Sequence, residues 1–338
     1  MKSSICQEPT VALLCLPESM PAGLYGMLEV FSSVGGGWTA ATGEPSRVPA
    51  MSAHLVGASP DPIRTPLDTD LVPQGGLEAP DIVIVADLAF ERDFDPRGRW
   101  PAEAAWLRAR YAAGCVVCSV CTGALILAEA GLLNGHTVTT HWSATGLLSR
   151  HYPDLTLAPD RIMTVSSPDG RLITCGGAAS WEDLALYLIA RFRGAAEATR
   201  ISRLFLFGDR SEGQLPFAQT ISLKRHDDPV IAMVQSWIAD NYDRDNAVAE
   251  MAARAGLPPR TFSRRFRAAT GYSPIDYVQA VRIEEAKQML TTTATPVDDI
   301  AYEVGYADPS HFRRLFRRLA GTTPSRYRQK FTRSPHFG

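Results

Sequence analysis

One sequence pattern occurs twice near the end of this chain, fifty residues apart, and it limits the possible folds more than any other feature. The first copy is RTFSRRFRAATGYSPIDYV and the second is SHFRRLFRRLAGTTPSRYR. A solenoid needs at least three repeats, so two copies predict one supersecondary unit that is used twice. The recurring pairs are Phe262 and Phe312, Arg264 and Arg314, Phe266 and Phe316, Gly271 and Gly321, Pro274 and Pro324, and Tyr277 and Tyr327.

A short helical segment precedes each copy. The segments VAEMAARAG and VDDIAYEVG carry apolar residues at spacings of three and four, which is the period of a helix with one buried face. Gly256 and Gly305 end these segments and indicate tight turns, so each unit is predicted to be a helix-turn-helix. Met251 and Ile300 are forty-nine residues apart rather than fifty, which predicts that the second turn is one residue longer.

Each repeated helix has an aromatic face and a basic face. The phenylalanines lie four residues apart and are predicted to face the core, which leaves the arginines outside. An arginine at the start of such a helix can pair with guanine, worth roughly 1–3 kcal/mol of base discrimination, while its neighbours hold phosphates. A single basic helix would equally fit the surface of an ordinary bundle, but two copies in register favour DNA binding. The predicted DNA-binding residues are Arg260, Ser263, Arg264, Arg267, Ser310, Arg313, Arg314 and Arg317.

The stretch from Ser273 to Thr291 predicts one helix that connects the two units. Ser273 suits the N-cap and Pro274 the first helical position. From about Pro229 to Phe331 the chain resembles the DNA-binding domain of the AraC/XylS family, and GTTPSRYR is similar to that family's terminal signature. The resemblance implies an all-α domain that binds promoter DNA through two helix-turn-helix units.

Charge is divided unevenly along the chain. From Pro229 to the end there are sixteen Lys and Arg against eleven Asp and Glu, whereas the preceding part has a net charge of -7 and the whole chain one of -2. This asymmetry favours one nucleic-acid-facing domain beside one that is not. No hydrophobic leader and no apolar run of eighteen residues is found, and six cysteines in 338 residues form no disulfide framework. A cytoplasmic protein is therefore predicted.

The first 200 residues alternate between apolar runs and helical stretches, which predicts an α/β domain with a parallel sheet covered by helices. The predicted domains are 1–207, a linker at 208–228, and 229–338. Strands are predicted at 10–16, 52–56, 81–86, 115–120, 138–140 and 172–174, and helices at 22–33, 101–113, 181–193 and 195–207.

An apolar strand is predicted to turn sharply into a helix at Cys121-Thr122-Gly123, a segment that we call the elbow. Such a turn exposes its side chain above the carboxyl edge of the sheet and leaves backbone N–H groups free for an anion. The helix start is also expected to lower the pKa of the thiol. His141 ends the next predicted strand, so Cys121 and His141 are expected to meet at one rim of a parallel sheet.

A metal site is the first alternative for this region. Cys115, Cys118 and Cys121 have the spacing of metal ligands, but residues three apart on a strand point to opposite faces. We therefore predict no metal and no cofactor, with Cys115 and Cys118 in the core. A cysteine near a turn and a rim histidine are each more often structural, but together they indicate a pocket.

The segment SVCTGALILAEAGLLNGHTVTTHW resembles the ThiJ/PfpI branch of the class I glutamine amidotransferase-like fold, which is flavodoxin-like. Before an AraC-type domain, it is similar to the GlxA group of transcription regulators. The resemblance matches Cys121 and His141 to that family's cysteine and histidine, while Glu29 and Glu18 are the only candidates for its acidic residue. Neither glutamate lies in a motif, so the resemblance implies a ligand sensor in which Cys121, His141 and Glu29 are vestiges of a catalytic set.

The sequence therefore predicts a DNA-binding transcriptional regulator whose first domain binds a small metabolite. Two alternatives stay open: a cysteine-dependent amidase or hydrolase, and a thiol redox sensor at Cys121. A homodimer through the first domain is expected, because closed two-fold pairs are the commonest oligomers and the resembling families usually dimerise.

The effector site is predicted at the sheet rim. The start of the helix at Thr122 favours an anionic group on the ligand. Gly176 and Gly177 have no side chain, so the ligand can approach the backbone there. Trp142 and Trp181 are placed to cover an alkylammonium, or simply to fill the core, so an amino-acid-like or betaine-like molecule is expected. The predicted ligand-binding residues are Cys121, Thr122, His141, Trp142, Gly176 and Gly177.

Overall fold

The computed structural model describes residues 8–46, 48–75, 79–91, 94–221 and 226–332. The chain forms two units, Met1–Gln214 and Leu215–Gly338. Residues 222–225 of the predicted linker lie outside the described residues. No helix in the described ranges is long and apolar enough to cross a membrane.

The first unit alternates strands and helices. Its strands are β1 (Thr10–Leu14), β2 (Ser52–Val56), β3 (Ile63–Arg64), β4 (Asp70–Leu71), β5 (Ile82–Val85), β6 (Val116–Val120), β7 (Thr137–Val138), β8 (Thr156–Leu157), β9 (Met163–Val165) and β10 (Leu172–Cys175). Its helices are α1 (Pro21–Ser32), α2 (Gly37–Thr42), α3 (Pro101–Ala112), α4 (Ala124–Glu129), α5 (Thr145–His151), α6 (Trp181–Arg193) and α7 (Ala195–Leu204).

The main sheet has six strands in the order β2-β1-β5-β6-β10-β9. The first five are parallel, and β9 is antiparallel to β10 at the edge. This is the doubly wound flavodoxin-like order, in which ligands bind beyond the carboxyl ends of the strands. The predicted α/β class is confirmed, although the antiparallel edge strand was not predicted.

Helices cover both faces of this sheet because successive strand residues point to opposite sides. In β1, Val11 and Leu13 pack in the cluster that contains residues of α1, α6 and α7. Ala12 and Leu14 pack in the cluster that contains residues of α3, α4 and α5. Strands buried on both faces explain why their sequences are nearly continuous apolar runs.

The prediction that residues 138–140 form a strand of the main sheet was wrong. Only Thr137–Val138 is a strand, and it pairs with β8 in a separate two-stranded sheet. Side-chain hydrogen bonds replace strand pairing at the next residue: the Thr139 amide donates to Thr174 Oγ1 at 2.8 Å, and Thr139 Oγ1 donates to the Arg161 carbonyl at 2.9 Å. The chain before His141 is therefore held by threonines rather than by a strand ladder.

In the second unit the described residues form helices without strands. The helices are α8 (Pro229–Ala239), α9 (Ala247–Arg254), α10 (Pro259–Thr270), α11 (Pro274–Thr292), α12 (Val297–Glu303), α13 (Pro309–Ala320) and α14 (Pro324–Phe331). Residues 255–258 separate α9 from α10, and residues 304–308 separate α12 from α13. The second turn is thus one residue longer, as predicted.

The connecting helix α11 is also confirmed. Ser273 is its N-cap, with Oγ accepting from the Asp276 amide at 3.2 Å. Its first half supplies Tyr277 and Val278 to a core with Phe262 and Phe266 of α10. Its second half supplies residues to another core, with members Ile283, Leu290, Ile300, Phe312 and Phe316. Each helix-turn-helix unit therefore has its own core, and α11 belongs to both.

Candidate functional sites

The elbow is a strained turn at the carboxyl end of β6. Cys121 has a φ of 56°, in the left-handed region that non-glycine residues rarely adopt. A Cβ atom on Gly123 would overlap the carbonyl oxygens of Val85 and Ala86, so only glycine lets the elbow pack on the end of β5. Thr122 Oγ1 accepts from the Leu88 amide and donates to the Leu88 carbonyl, both at 2.7 Å. The elbow is therefore fixed by the close packing of Gly123 and by the two hydrogen bonds between Thr122 and Leu88.

The thiol in this turn is protonated at neutral pH. Cys121 is 8% exposed, and burial, together with the nearby Asp87 carboxylate, raises its pKa to about 12. The prediction that the helix start lowers this pKa was wrong, because desolvation of the thiolate outweighs it. The helix itself, Ala124–Glu129, is only six residues long. The expected preference for an anionic ligand group thus loses its main support.

Asp87 is an acidic residue near the elbow that no sequence motif had marked. It follows β5 at the same carboxyl edge as the elbow, and its Oδ1 atom is buried with no hydrogen-bond partner among the described residues. Burial raises the pKa of this carboxyl group. The signal was present in the sequence, since Asp87 ends the apolar run DIVIVAD.

The two glutamates proposed for the acidic role are engaged elsewhere or exposed. Glu29 lies exposed on α1. Glu18 pairs with Arg99 at 2.7 Å and accepts from Trp100 Nε1 at 3.4 Å. Asp87, rather than Glu29 or Glu18, is therefore the carboxylate whose charge raises the pKa of the Cys121 thiol.

His141 is close to the elbow but is bonded to its own turn. Its Nδ1 atom accepts from the Ser143 amide at 3.2 Å and lies 2.6 Å from Ser143 Oγ, which assigns the ring proton to Nε2. Burial lowers the pKa of the ring. Thr140 links this segment to the elbow, because its Oγ1 donates to the Cys121 carbonyl at 2.7 Å. Thr140 thus fixes the segment before His141 against the elbow backbone, while the His141 ring itself is bonded to Ser143.

Gly176 and Gly177 follow β10 and have different surroundings. A methyl group on Gly176 would overlap the side-chain amide of Gln214, so the space beside the Gly176 Cα atom is already filled. A methyl group on Gly177 would lie 3.5 Å from His141 Cδ2 and 3.7 Å from Gln214 Oε1, which is ordinary contact. We call the position that this methyl group would occupy the Gly177 niche.

The two tryptophans also differ. Trp142 is half-buried, and its ring lies 5.1 Å from the ring of His141. Trp181 is partly buried, and it packs edge-on against Phe207 at 5.6 Å and against Gly26 beside the core. Only Trp142 is therefore placed to cover a ligand at the rim.

The basic helix faces lie on the outside of the second unit. The buried side chains of α10 and α13 include all four repeated phenylalanines, each at most 1% exposed. Arg313 forms an ion pair with Asp298 at 2.6 Å, whereas no ion pair occupies Arg264 or Arg314 in the described part of the chain. All eight predicted DNA-binding residues are exposed: Arg260, Ser263, Arg264, Arg267, Ser310, Arg313, Arg314 and Arg317.

Comparison with known protein families gives one match in each of the two units. Residues 101–191 match the DJ-1/PfpI family, and residues 251–330 match a helix-turn-helix domain. This chain joins a DJ-1/PfpI domain to an AraC-type helix-turn-helix domain. Within the described ranges, no group of His, Cys, Asp or Glu is arranged to hold a metal ion.

Among its relatives is the HTH-type transcriptional regulator CdhR of Pseudomonas aeruginosa, 28% identical over 81% of this chain and 81% of that protein. The HTH-type transcriptional regulator GlxA of Rhizobium meliloti is 29% identical over 62% of this chain and 64% of that protein. A solved ThiJ/PfpI family protein from Pseudomonas syringae is 21% identical, with a TM-score of 0.47, over 74% of this chain and 89% of that one.

Proposed function

We propose that this protein is a transcriptional regulator that binds promoter DNA through α10 and α13 and a small metabolite at the rim beside the elbow. The observation that carries the proposal is the pair of exposed basic helices, each on its own core and joined by α11. The nineteen residues of α11 span about 28 Å at 1.5 Å per residue, comparable with one turn of DNA. Both relatives named above are HTH-type transcriptional regulators, which supports the proposal. Action on promoter DNA also favours the expected cytoplasmic location.

Footprinting on a selected DNA sequence tests this proposal. The full-length protein should enrich one sequence from a random library, with two protected segments about one helical turn apart for each copy of the chain. Because phosphate contacts release counterions, the affinity should fall steeply as salt rises. Four protected segments would support the homodimer that we propose, and two would contradict it. Failure to enrich any sequence would exclude sequence-specific DNA binding.

An enzyme and a redox sensor remain the alternatives at the first unit. Both require a reactive thiolate, but burial raises the pKa of Cys121 to about 12. His141 is bonded to Ser143, so it does not serve as a base for the thiol in this arrangement. These two observations favour binding over chemistry.

Alkylation separates these possibilities. At pH 8, Cys121 should react with iodoacetamide at least about ten times more slowly than the same thiol in the denatured chain, because so few thiols are ionised. Its reactivity should rise only well above pH 9. Peptide mass spectrometry would measure both rates, with Cys15, a buried thiol whose pKa is also raised to about 12, as the internal control. Much faster modification of Cys121 than of Cys15 at pH 8 would favour the enzyme or the redox sensor.

A further inference from the structure

Gln214 lies in the predicted linker, yet it is fixed inside the first unit. It is only 2% exposed, and its backbone amide donates to the Asp160 carbonyl at 2.9 Å. A residue that only connected two domains would be exposed to solvent, whereas Gln214 is not. Four oxygens surround its Nε2 atom: Thr140 O and Arg161 O at 2.9 Å, and Thr139 Oγ1 and Pro159 O at 3.2 Å.

Two glycines make room for this side chain. A Cβ atom on Gly176 would overlap the Gln214 amide. Gly213 has a φ of 77°, and a Cβ atom there would overlap the Asp160 carbonyl oxygen. The slot for Gln214 therefore requires glycine at both positions.

The other end of the amide is unsatisfied. Gln214 Oε1 is buried and has no hydrogen-bond partner among the described residues, and a buried acceptor without a donor costs free energy. It borders the Gly177 niche, where a methyl group on Gly177 would lie 3.7 Å from this oxygen and 3.9 Å from His141 Nε2. The unsatisfied acceptor thus faces the proposed effector site.

We propose that Gln214 Oε1 is the acceptor that recognises the effector, and that the effector supplies an N–H group from an ammonium such as that of an amino acid. The inference rests on the proposed sensor function and narrows its ligand class. A fully methylated ammonium has no N–H to donate, so betaine-like molecules are disfavoured. A site that provides a hydrogen-bonding group discriminates strongly against a ligand that lacks the matching one.

Gln214 also offers a route from the effector to the DNA-binding unit along the chain itself. The next residue, Leu215, begins a turn that packs against Gly321, the residue that caps α13. Lys287 of α11 binds the same stretch, donating to Ala218 O and Thr220 Oγ1 at 2.9 Å each. Gln214 is the last residue of the first unit. An effector that binds Gln214 therefore restrains the point at which the chain enters the second unit.

A double-mutant-type cycle, in which both the ligand and residue 214 are changed, tests whether Gln214 Oε1 recognises the effector. The common α-amino acids and their N,N,N-trimethyl derivatives are titrated as matched pairs against the full-length protein and Gln214→Met, with binding followed by calorimetry. Met matches the length of Gln and lacks the acceptor. Wild type should prefer the best amino acid over its trimethyl derivative about ten-fold or more, and Gln214→Met should lose most of that preference.

The outcomes separate the inference from the proposed function. Equal binding of both members of the pair, or a preference that persists in Gln214→Met, overturns the role of Oε1 while leaving a metabolite sensor in place. A wild-type protein that binds none of the probes overturns the inference itself. The sensor would still stand if another metabolite changed promoter binding, and would fall if none did.

Gly176→Ala provides a second test that leaves Gln214 unchanged. Its methyl group should displace the amide from the slot, so the preference for the N–H ligand should fall to the level of Gln214→Met. Gly146→Ala is the matched control, because an added Cβ there meets no atom within 4 Å. Wild-type preference in a folded Gly176→Ala protein would overturn the proposal.

Discussion

Replacing Arg264 and Arg314 together by alanine is expected to lower affinity for the selected DNA site by about a hundred-fold or more. Each arginine is exposed at the same position of a repeated helix, and each bidentate contact with guanine is worth roughly 1–3 kcal/mol. The two losses should add, because the residues lie in separate helix-turn-helix units. Gel-shift titrations of both single variants and the double variant would measure this.

Arg265→Ala is the matched control for that experiment. It removes the same side chain one residue away, but Arg265 binds both carboxylate oxygens of Asp228, at 2.6 and 2.9 Å. Asp228 caps α8, so this variant should lose some thermal stability and keep its base preference. Each single variant, Arg264→Ala or Arg314→Ala, should instead relax preference in a different half of the site. Unchanged preference in both would refute the assignment of the DNA-contacting face.

The second unit was predictable because its signals are local and occur twice. Phenylalanines four residues apart give the buried face of each repeated helix, while Gly271 and Gly321 end those helices in left-handed conformations. The spacing of the preceding helices gave even the extra residue in the second turn. What the repeat did not reveal was which arginines are already paired, since Arg265 and Arg313 have partners distant in the sequence.

The first unit was predictable in its sheet and elbow, but not in the contacts that complete the site. An apolar run ending at a glycine indicates a sharp turn, and Gly123 does make that close approach. The departure of Thr139 from the sheet depends on Thr174 and Arg161, which no local pattern connects. Gln214 was assigned to the linker for the same reason: its polar neighbours resemble solvated chain until the slot over Gly176 is seen.

The thiol shows how two local effects compete. A helix start lowers the pKa of a nearby cysteine, whereas burial raises it, and the sequence indicated only the first. The cluster around α1 and α6 surrounds Cys121 and decides the outcome. The helix start does contribute, because the Thr122 amide lowers the pKa of the thiol, but burial has the larger effect.

Filling the Gly177 niche is expected to abolish the response to the effector. Gly177 has φ and ψ of -54° and 161°, a conformation open to any residue, so Gly177→Leu adds bulk at the rim without backbone strain. Cys121→Trp would also fill the rim, but Cys121 is buried at a strained φ, so that variant is expected to be destabilised. Gly177→Leu should weaken effector binding by about a hundred-fold, which corresponds to about 2.7 kcal/mol.

The affinity of unliganded Gly177→Leu for the selected DNA should stay within about three-fold of wild type, because the arginines that we propose contact DNA belong to the second unit. Gly177→Ala is the graded control: its single methyl group makes only ordinary contacts with His141 and Gln214, so part of the response should remain. Calorimetry with the effector and gel shifts without it would give the two affinities, and circular dichroism would confirm folding. A folded Gly177→Leu protein that keeps the wild-type effector response would exclude the niche as the binding site. Loss of DNA binding without effector would instead show that the rim supports the DNA-bound state directly.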